Sequence, residues 1–560
     1  MSFLGVTKSL TGRRWVGPSI ETERAPDATV PLTGLPQAVC QVLARRGVPP
    51  AEAEAFLTPQ LRDLLPDPRL LKDMQPAAAR FIEAVHNRQR IAVFADYDVD
   101  GGSSAALLIV WLREMGIKAN LYVPDRIDEG YGPNIQAMQQ LASAHDLIIC
   151  VDCGTLSHDP IAAASDADVI VLDHHLGAET LPPALAVVNP NRQDETGDLG
   201  YLCAAAVVFL VLVEVRRQLR EAGRPTGPDL LSFLDLVALA TVADVAPLIG
   251  VNRALVRQGL SVMRQRNRPG LVALSDVARM DSAPNTYHLG FLLGPRINAG
   301  GRIGKADLGA RLLSTSSTAE AEALATRLDT LNTERREIEA SVRAAALAQA
   351  EERGLDGPLV WAAGDGWHPG VVGIVASRLK ETANRPAIVI GLEGREGKGS
   401  GRSISGIDLG AAIHRLSHEG LLLKGGGHRM AAGLTVARDQ LEPAMARLSE
   451  LLGQQGAAQA GPKDMVLDGM LMPKALSVAL IEDIEKAGPF GASAPAPRFA
   501  LPDLQIRHAR KVGESHLKLS LSDGMGARLD AICFGAFESE IGPRLSTHAG
   551  ARFHMAARLE

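Results

Sequence analysis

The sequence predicts an α/β protein: a parallel-sheet domain and a second α/β domain joined by a long helix, then a small β domain. Three observations carry this reading. Short apolar runs alternate with helix-like stretches between residues 91 and 188, the pattern of a parallel sheet covered on both faces. Leu324, Leu328, Leu331, Ile338 and Val342 recur at helical spacing inside one long unbroken stretch. Near the C-terminus Leu517, Leu519 and Leu521 alternate with Lys518 and Ser520, as in a half-exposed strand.

The elements follow in order. Residues 1–75 carry breaks at Pro18, Pro26, Pro31, Pro36, Pro49, Pro50, Pro66 and Pro68 and read as a peripheral segment. Across residues 76–315 strands are expected at 91–95, 121–123, 147–151, 169–172 and 186–188, with helices at 104–115, 135–144, 201–221 and 229–265. Ser317 followed by Glu320 has the form of a capping box that opens a helix over 316–354, and Gly354 can end it. About 35 residues at 1.5 Å each span roughly 50 Å, the length of an inter-domain connector. Residues 355–455 form a second α/β unit, with strands at 359–363 and 387–390 and glycines crowded at 397–401 and 425–427. Residues 460–560 read as a β domain with one helix over 474–487.

Composition bounds the function. At about 150 residues per domain, 560 residues make three or four domains. With 46% apolar and 22% charged residues, wholesale disorder is excluded. The longest apolar run, residues 201–213, falls short of the roughly 20 residues a membrane span needs. The first residues contain no apolar signal segment, and five cysteines, an odd number, suit a reducing compartment, so a cytoplasmic protein is expected. The net charge of −6 directs any nucleic-acid binding to local basic grooves.

The chemistry lies at strand ends. The strand at 91–95 runs into Asp96, Asp98 and Asp100, the strand at 147–151 into Asp152, and the strand at 169–172 into Asp173, His174 and His175. In an open parallel sheet these ends share one edge, so carboxylates distant in sequence converge. Asp244, after an apolar helix, can join them. A single acidic strand end is an ordinary turn or helix cap. Three, with a histidine pair, point instead to divalent cations that relieve the mutual repulsion, and oxygen ligands with imidazole suit Mn²⁺ or Mg²⁺. Two such ions favour in-line displacement at phosphorus.

These motifs, in this order, resemble the DHH phosphoesterase family. Residues 294–302 (Gly-Pro-Arg-Ile-Asn-Ala-Gly-Gly-Arg) resemble the segment that the family's long nucleases carry before their connecting helix. Residues 366–378, Gly401-Arg402-Ser403 and Gly425-Gly426-Gly427-His428 resemble the accessory DHHA1 domain, and Gly488-Pro489-Phe490-Gly491 resembles the lead-in to an OB-fold barrel. The resemblance covers about residues 70–560. It implies a single-stranded-DNA-specific exonuclease working from 5′ ends in repair and recombination, with two Mn²⁺ or Mg²⁺ ions. It gives Asp96, Asp98, Asp152, His174 and Asp244 as metal ligands and His175 at the metal or the scissile phosphate. Asp100 and Asp173 become supports of that cluster. Arg296, Asn298 and Arg302 become phosphate contacts, and Arg378, Arg402, Ser403, Gly426, Gly427 and His428 close over the DNA end. A helicase and a single-strand-binding protein are the partners the family implies, with the enzyme a monomer.

The same catalytic chemistry also fits a hydrolase of short RNA or cyclic dinucleotides, and an inactive DNA-binding scaffold is the reading from another class. The C-terminal β domain, with Arg498, Arg507, Arg510, Lys511, Lys518 and Arg528, favours long single strands. Three departures stand out, one being that Ser493-Ala494-Pro495 lacks the asparagine expected after the Gly-Pro-Phe-Gly lead-in. Many family members carry a histidine two positions before the first aspartate, where this chain has Phe94, which leaves open a weaker ion site or a plain core residue. The chain also stops at Glu560 directly after a strand-like run, which puts the completeness of the β domain's binding face in question. Cys150 and Cys153 lack further soft ligands for zinc, and residues 299–306 lack the first glycine and the Ser/Thr of a P-loop.

Overall fold

The structure, a computed structural model, describes residues 2–18, 34–125, 129–459, 461, 464–548 and 550–560. Pro26 and Pro31 lie outside the described residues. The chain forms two compact units, Pro66–Pro247 with Leu255–Gly461, and Met1–Leu65 with Leu248–Ala254 and Pro462–Glu560.

The larger unit opens on a five-stranded, all-parallel sheet. Its strands are β1 (Ile91–Ala95), β2 (Asn120–Tyr122), β3 (Leu147–Val151), β4 (Asp168–Leu172) and β5 (Ala186–Val188), in the order β2-β1-β3-β4-β5. β1, β3 and β5 are buried at every residue, which is why they read as continuous apolar runs without alternation. Helices α1 (Val99–Glu114), α2 (Ile135–Ala144), α3 (Ala204–Glu221) and α4 (Leu234–Ala243) accompany the sheet. Phe94 is fully buried and stacks on Tyr122 with ring centroids 5.3 Å apart, so this position is a core residue. Cys150 and Cys153 are buried free thiols in the same cluster. Residues 299–303 lie within helix α5 (Gly294–Ile303), not in a phosphate-cradling loop.

Helix α6 spans Thr318–Arg353, 36 residues. Ser317 caps it by accepting from the Glu320 N–H at 3.3 Å. Glu320 does not complete the box; its carboxylate takes the Thr315 hydroxyl (2.6 Å) and Arg311 (3.0 Å) instead, because an arginine in the preceding helix is the stronger donor. Gly354 ends the helix at φ 91°. The C-terminal half of α6 buries Val342, Ala346 and Ala350 in a core with Val360, Val371, Val375 and Val389.

That core belongs to a mixed sheet of β6 (Val360–Asp365), β7 (Ala387–Glu393), β8 (Glu396–Arg402), β9 (Lys424–His428) and β10 (Ala431–Ala437), ordered β9-β10-β8-β7-β6, with helix α7 (Pro369–Ala383) against it. The glycine-crowded segments are strands. At Gly401 a Cβ would lie 2.4 Å from Ile388 and 2.8 Å from Leu409, so glycine lets the core side chains close on the strand.

In the smaller unit, β11 (Phe499–Val512) bends at two irregularities and pairs antiparallel with both β12 (His516–Ser522) and β14 (Arg552–Ala557). β13 (Arg528–Cys533) continues the curled sheet beyond β12. The N-terminal segment is built into this unit. Helix Gln37–Arg45 buries Ala38, Val39, Val42 and Leu43 in one core with Phe499, Leu504, Leu517 and Leu519. Arg253 locks the arrangement: its guanidinium lies 3.8 Å over the Phe56 ring and donates to the carbonyls of Phe56, Ala487 and Gly488. No described helix is long and apolar enough to cross a membrane.

Candidate metal centre

Strand register builds the centre. Ala95, Val151, Leu172 and Val188 lie side by side. The residues that follow them, Asp96, Asp152, Asp173 and Asn189, therefore emerge in a row at one sheet edge, about 4.8 Å per strand step. The ladder extends into the row: Asp152 N donates to Leu172 O at 2.9 Å and Asp173 N to Val188 O at 3.1 Å. Asp152 adopts φ 60°, a left-handed conformation that ends its strand and that aspartate tolerates better than most residues.

The side chains converge. Asp96, Asp98 and Asp152 form one group whose ligating atoms lie within 4.8 Å of each other; Asp152, His174 and His175 form a second, and Asp100, His174 and Asp244 a third. His174 Nε2 sits 3.2 Å from Asp152 Oδ1, 3.7 Å from Asp100 and 3.8 Å from Asp244. Asp98 is also a helix cap: its Oδ1 accepts from the N–H groups of Asp100 and Gly101 at the start of α1. A Cβ at Gly101 would lie 2.4 Å from the Asp96 carbonyl, so only glycine permits this tight turn beneath the acids.

Asp100 and Asp173 hold the cluster from behind. Asp100 accepts from the N–H groups of Ala204 and Ala205 at 2.7 and 2.8 Å and so caps α3, whose own preceding residue is Cys203. Asp173 Oδ1 accepts from the backbone N–H groups of both histidines and from His175 Nδ1 at 2.8 Å, and its Oδ2 from Thr155 N. Asn189 and Asn191 donate to the carbonyls of His175 and His174. Neither asparagine was singled out from the sequence, although the fifth strand also ends in polar residues, Asn189-Pro190-Asn191. Tyr131 was missed as well. Its hydroxyl donates to the Asp152 carbonyl at 3.1 Å and lies 3.3 Å from His175 Nε2.

Electrostatics follow from this crowding. Burial first, and then the neighbouring carboxylates Asp100, Asp98 and Asp96, push the Asp152 carboxyl well above its ordinary value. Burial and Asp100 push Asp244 up to about 8. For His175, burial acts downward but is outweighed by Asp173, Asp96 and Asp244, which raise it to about 9. Burial would raise Asp173, yet its bonds to His175 and Thr155 prevail and hold it low. Asp152 Oδ1 is buried and accepts no hydrogen bond among the described residues. A shared pocket of carboxylates with one oxygen so placed and imidazole beside it has the donor chemistry for hard divalent cations, and therefore fits Mn²⁺ or Mg²⁺. We expect Asp173→Asn to lower kcat/KM by roughly 10- to 100-fold at saturating Mn²⁺, because it releases both histidines. An unchanged value would show that Asp173 does not orient them.

The remaining sequence-derived positions divide. Asn298 Oδ1 accepts from Val99 N beside Asp98, Arg296 pairs with Asp329 of α6 at 2.8 Å, and Arg302 donates to the Gly370 carbonyl at the start of α7. All three fasten α5 to its neighbours. Ser403 is 1% exposed and donates to the Ile407 carbonyl, so it turns into the core. Arg402, Ala431 and His428 are aligned across β8, β10 and β9, as are Ser400, Gly433 and Gly426, and Lys398, Thr435 and Lys424. Ser400, rather than Ser403, therefore shares a sheet face with Arg402, whose Nη1 donates to it at 3.0 Å. Gly427 lies one residue off that face, at φ 150°. Arg378 on α7 pairs with Glu381. Lys398, Ser400, Lys424, Gly426 and Gly433, with Pro369 and Gly370, line a cleft of about 510 Å³.

Comparison with known proteins matches this geometry to a family. The model of the DHH family, N-terminal domain, matches residues 90–241, that of the DHHA1 domain 356–454, and that of the RecJ OB domain 467–560. The single-stranded-DNA-specific exonuclease RecJ of Dickeya dadantii is 40% identical over 540 residues, covering 92% of this chain and 91% of that protein. The chain belongs to the RecJ family. RecJ of Escherichia coli is 38% identical, with 91% of each chain covered. The crystal structure of RecJ in complex with Mn²⁺ from Thermus thermophilus superimposes with a TM-score of 0.75 at 28% identity, covering 98% of this chain and 79% of that one. The Mg²⁺ complex of the same protein gives 0.69 at 30% identity, covering 92% and 72%. The α/β architecture with DHH, DHHA1 and OB domains and the Mn²⁺ or Mg²⁺ cofactor expected from the sequence thus agree with the RecJ relatives.

Proposed function

We propose that this protein is a metal-dependent exodeoxyribonuclease that degrades single-stranded DNA from its 5′ end during repair and recombination. The convergence of Asp96, Asp98, Asp152, His174 and Asp244 on one sheet edge carries the reading. These residues would hold two divalent ions, whose chemistry would be to activate a water and neutralise phosphate oxygens in an in-line displacement. His175, held through its Nδ1 by Asp173, is the candidate to contact the metal or a non-bridging phosphate oxygen. Asp100 and Asp173 keep the ligands in place, and Asn298 holds the Asp98 turn.

The face carrying Arg402 and His428, with Ser400 and with Gly426 open to backbone approach, receives the terminal phosphate, and Gly427 follows one residue off it. Arg296, Arg302 and Arg378 act mainly by fixing the walls around it, and Ser403 shapes the turn that follows Arg402. In the OB domain, Phe534 is 68% exposed beside His516, and Arg507, Arg510 and Lys511 lie on β11, which suits a strand-tracking surface. A DNA substrate suits a cytoplasmic enzyme, and a helicase and a single-strand-binding protein are the partner classes that fit an exonuclease confined to single strands, itself a monomer.

Parallel digestion of 5′- and 3′-labelled 40-mers with Mn²⁺ tests the polarity: mononucleotide appears first from the 5′ label. First release from the 3′ label overturns it, and degradation of a 3-mer RNA in preference to both overturns the substrate. Affinity for the 40-mer falls steeply between 50 and 200 mM salt, in proportion to the phosphates neutralised.

A further inference from the structure

We propose that the cleft beside Arg402 and His428 accepts a strand end carrying a 5′-triphosphate, and that the first nucleotide of such a strand leaves as a nucleoside triphosphate. This deepens the nuclease reading above and rests on it. Three rows of residues cross β9, β10 and β8. His428, Ala431 and Arg402 form the first, Gly426, Gly433 and Ser400 the second, and Lys424, Thr435 and Lys398 the third. Successive rows are two residues apart along the strands, roughly 7 Å, so all three share one sheet face. The opposite face is core, where Leu434 and Val436 are buried.

The middle row is a floor. A Cβ at Gly433 would meet nothing nearer than 4.0 Å and one at Gly426 nothing nearer than 3.6 Å, so neither glycine serves close packing as Gly401 does. The space above is open: the cleft of about 510 Å³ has the size of a small-molecule site. α7 walls one side. Its first residues, Pro369 and Gly370, line the cleft, which puts the positive end of that helix at its border. A Cβ at Gly373 would lie 3.0 Å from Ser400 Oγ and 3.2 Å from Arg402 Nη2, so the helix sits directly beside the floor.

Charge selects the ligand. Arg402 flanks the floor on one side, Lys398 and Lys424 on the other. Both lysines are exposed, and neither ammonium group has an ion-pair partner among the described residues. Their flexible stems let them lean over the glycines from the third row. No carboxylate belongs to the described lining. A terminal monoester phosphate carries about −1.5 to −2 charges, which Arg402 and a single lysine already balance. Three permanent cations and a helix end exceed that requirement. Two further phosphoryl groups, each with its own ionised oxygen, use the surplus, and they extend along the floor toward the lysine row. The bond cut is the same as for an ordinary end. Water adds its oxygen to the phosphorus of the first internucleotide phosphate, the P–O3′ bond breaks, and O3′ takes up a proton. The departing nucleotide keeps all three of its phosphates, and the shortened strand keeps a 5′-monophosphate.

The test gives the full chain 20-mer single-stranded DNA with a 5′-triphosphate or a 5′-monophosphate, in Mn²⁺, and identifies the first product by ion-exchange chromatography. The wild type is expected to degrade the triphosphate strand with a kcat/KM at least equal to that for the monophosphate, releasing nucleoside triphosphate first. Lys398→Gln/Lys424→Gln lowers kcat/KM for the triphosphate strand by at least about tenfold, the loss of charge-assisted contacts, and for the monophosphate strand by less than about threefold. The monophosphate strand thus reports whether the variant is folded. A wild type that degrades only the monophosphate strand, a mononucleotide as first product from the triphosphate strand, or a double variant with an unaltered ratio between the two substrates overturns the proposal alone. Free deoxyadenosine triphosphate, with free Mn²⁺ held constant, separates the other source of the same chemistry: inhibition of both substrates alike, lost in the double variant, reassigns the cleft to a free nucleotide and overturns the strand end as its ligand. A wild type inert toward both 20-mers overturns the nuclease reading itself.

Discussion

Asp152→Asn is expected to reduce degradation of single-stranded DNA by on the order of 10³-fold or more at any Mn²⁺ concentration, while making the metal-free protein more stable. Both effects have one origin. Asp152 lies between two of the three ligand groups, and its Oδ1 is the carboxylate oxygen nearest His174 Nε2 among the described residues, at 3.2 Å. Removing its charge removes a ligand from both groups, and the preorganised electrostatics of such a site are worth several powers of ten in rate. The same charge is buried among Asp100, Asp98 and Asp96 and raised far above its ordinary value. A neutral isostere relieves that conflict, so the variant melts higher than the wild type in EDTA. Mn²⁺ raises the melting temperature of the wild type and moves the variant much less. Undiminished turnover in Asp152→Asn would rule out the scheme; lost turnover with an unaltered response to Mn²⁺ would assign Asp152 to another role.

The second expected result concerns pH. In the unfolded chain the carboxylates titrate near 4 and histidine near 6.5. In the metal-free fold Asp244 is raised to about 8 and His175 to about 9, and Asp152 is raised as well. Between these values the folded state binds more protons than the unfolded one, so stability falls as pH rises: from about pH 4 to 8 for Asp244 and from about 6.5 to 9 for His175. Asp173 is depressed and gains its stabilisation at acid pH, leaving it constant across this window. The metal-free melting temperature therefore drops by several degrees between pH 6 and pH 8.5. Divalent ions displace the protons, so the stabilisation by Mn²⁺ grows over the same range. A metal-free melting temperature that climbs with pH would contradict the buried-acid picture.

The acid row was legible because hydrophobic runs fix the strands and parallel pairing fixes the edge at which they end. Ile91–Ala95 and Leu147–Val151 stand where the apolar runs stand, and the residues after them could be placed with no side-chain detail. α1 starts five residues before the apolar stretch that announced it, because Asp98 caps it and Gly101 and Gly102 sit in its first turn against their propensity. Ser403 looked like part of a phosphate motif, but strand alternation puts Ser400 beside Arg402 and sends Ser403 inward. The phase of a glycine-rich strand is hard to read when half its residues have no side chain. Tyr131 and the two asparagines act through hydrogen bonds from loops, where no periodicity betrays them.

The 36-residue helix α6 has a consequence for how the enzyme can vary. Each residue advances the rod by about 1.5 Å and swings the chain beyond it by about 100°. A one-residue insertion at its solvent-facing middle would revolve the whole accessory domain by more than a quarter circle against the catalytic sheet. Insertions of four or seven would bring it almost back into phase, shifted lengthwise by about 6 or 10 Å. Spacing between the Arg402–His428 face and the acid cluster can thus be retuned only in coarse jumps, as on a toothed gear, and intermediate lengths are closed to drift.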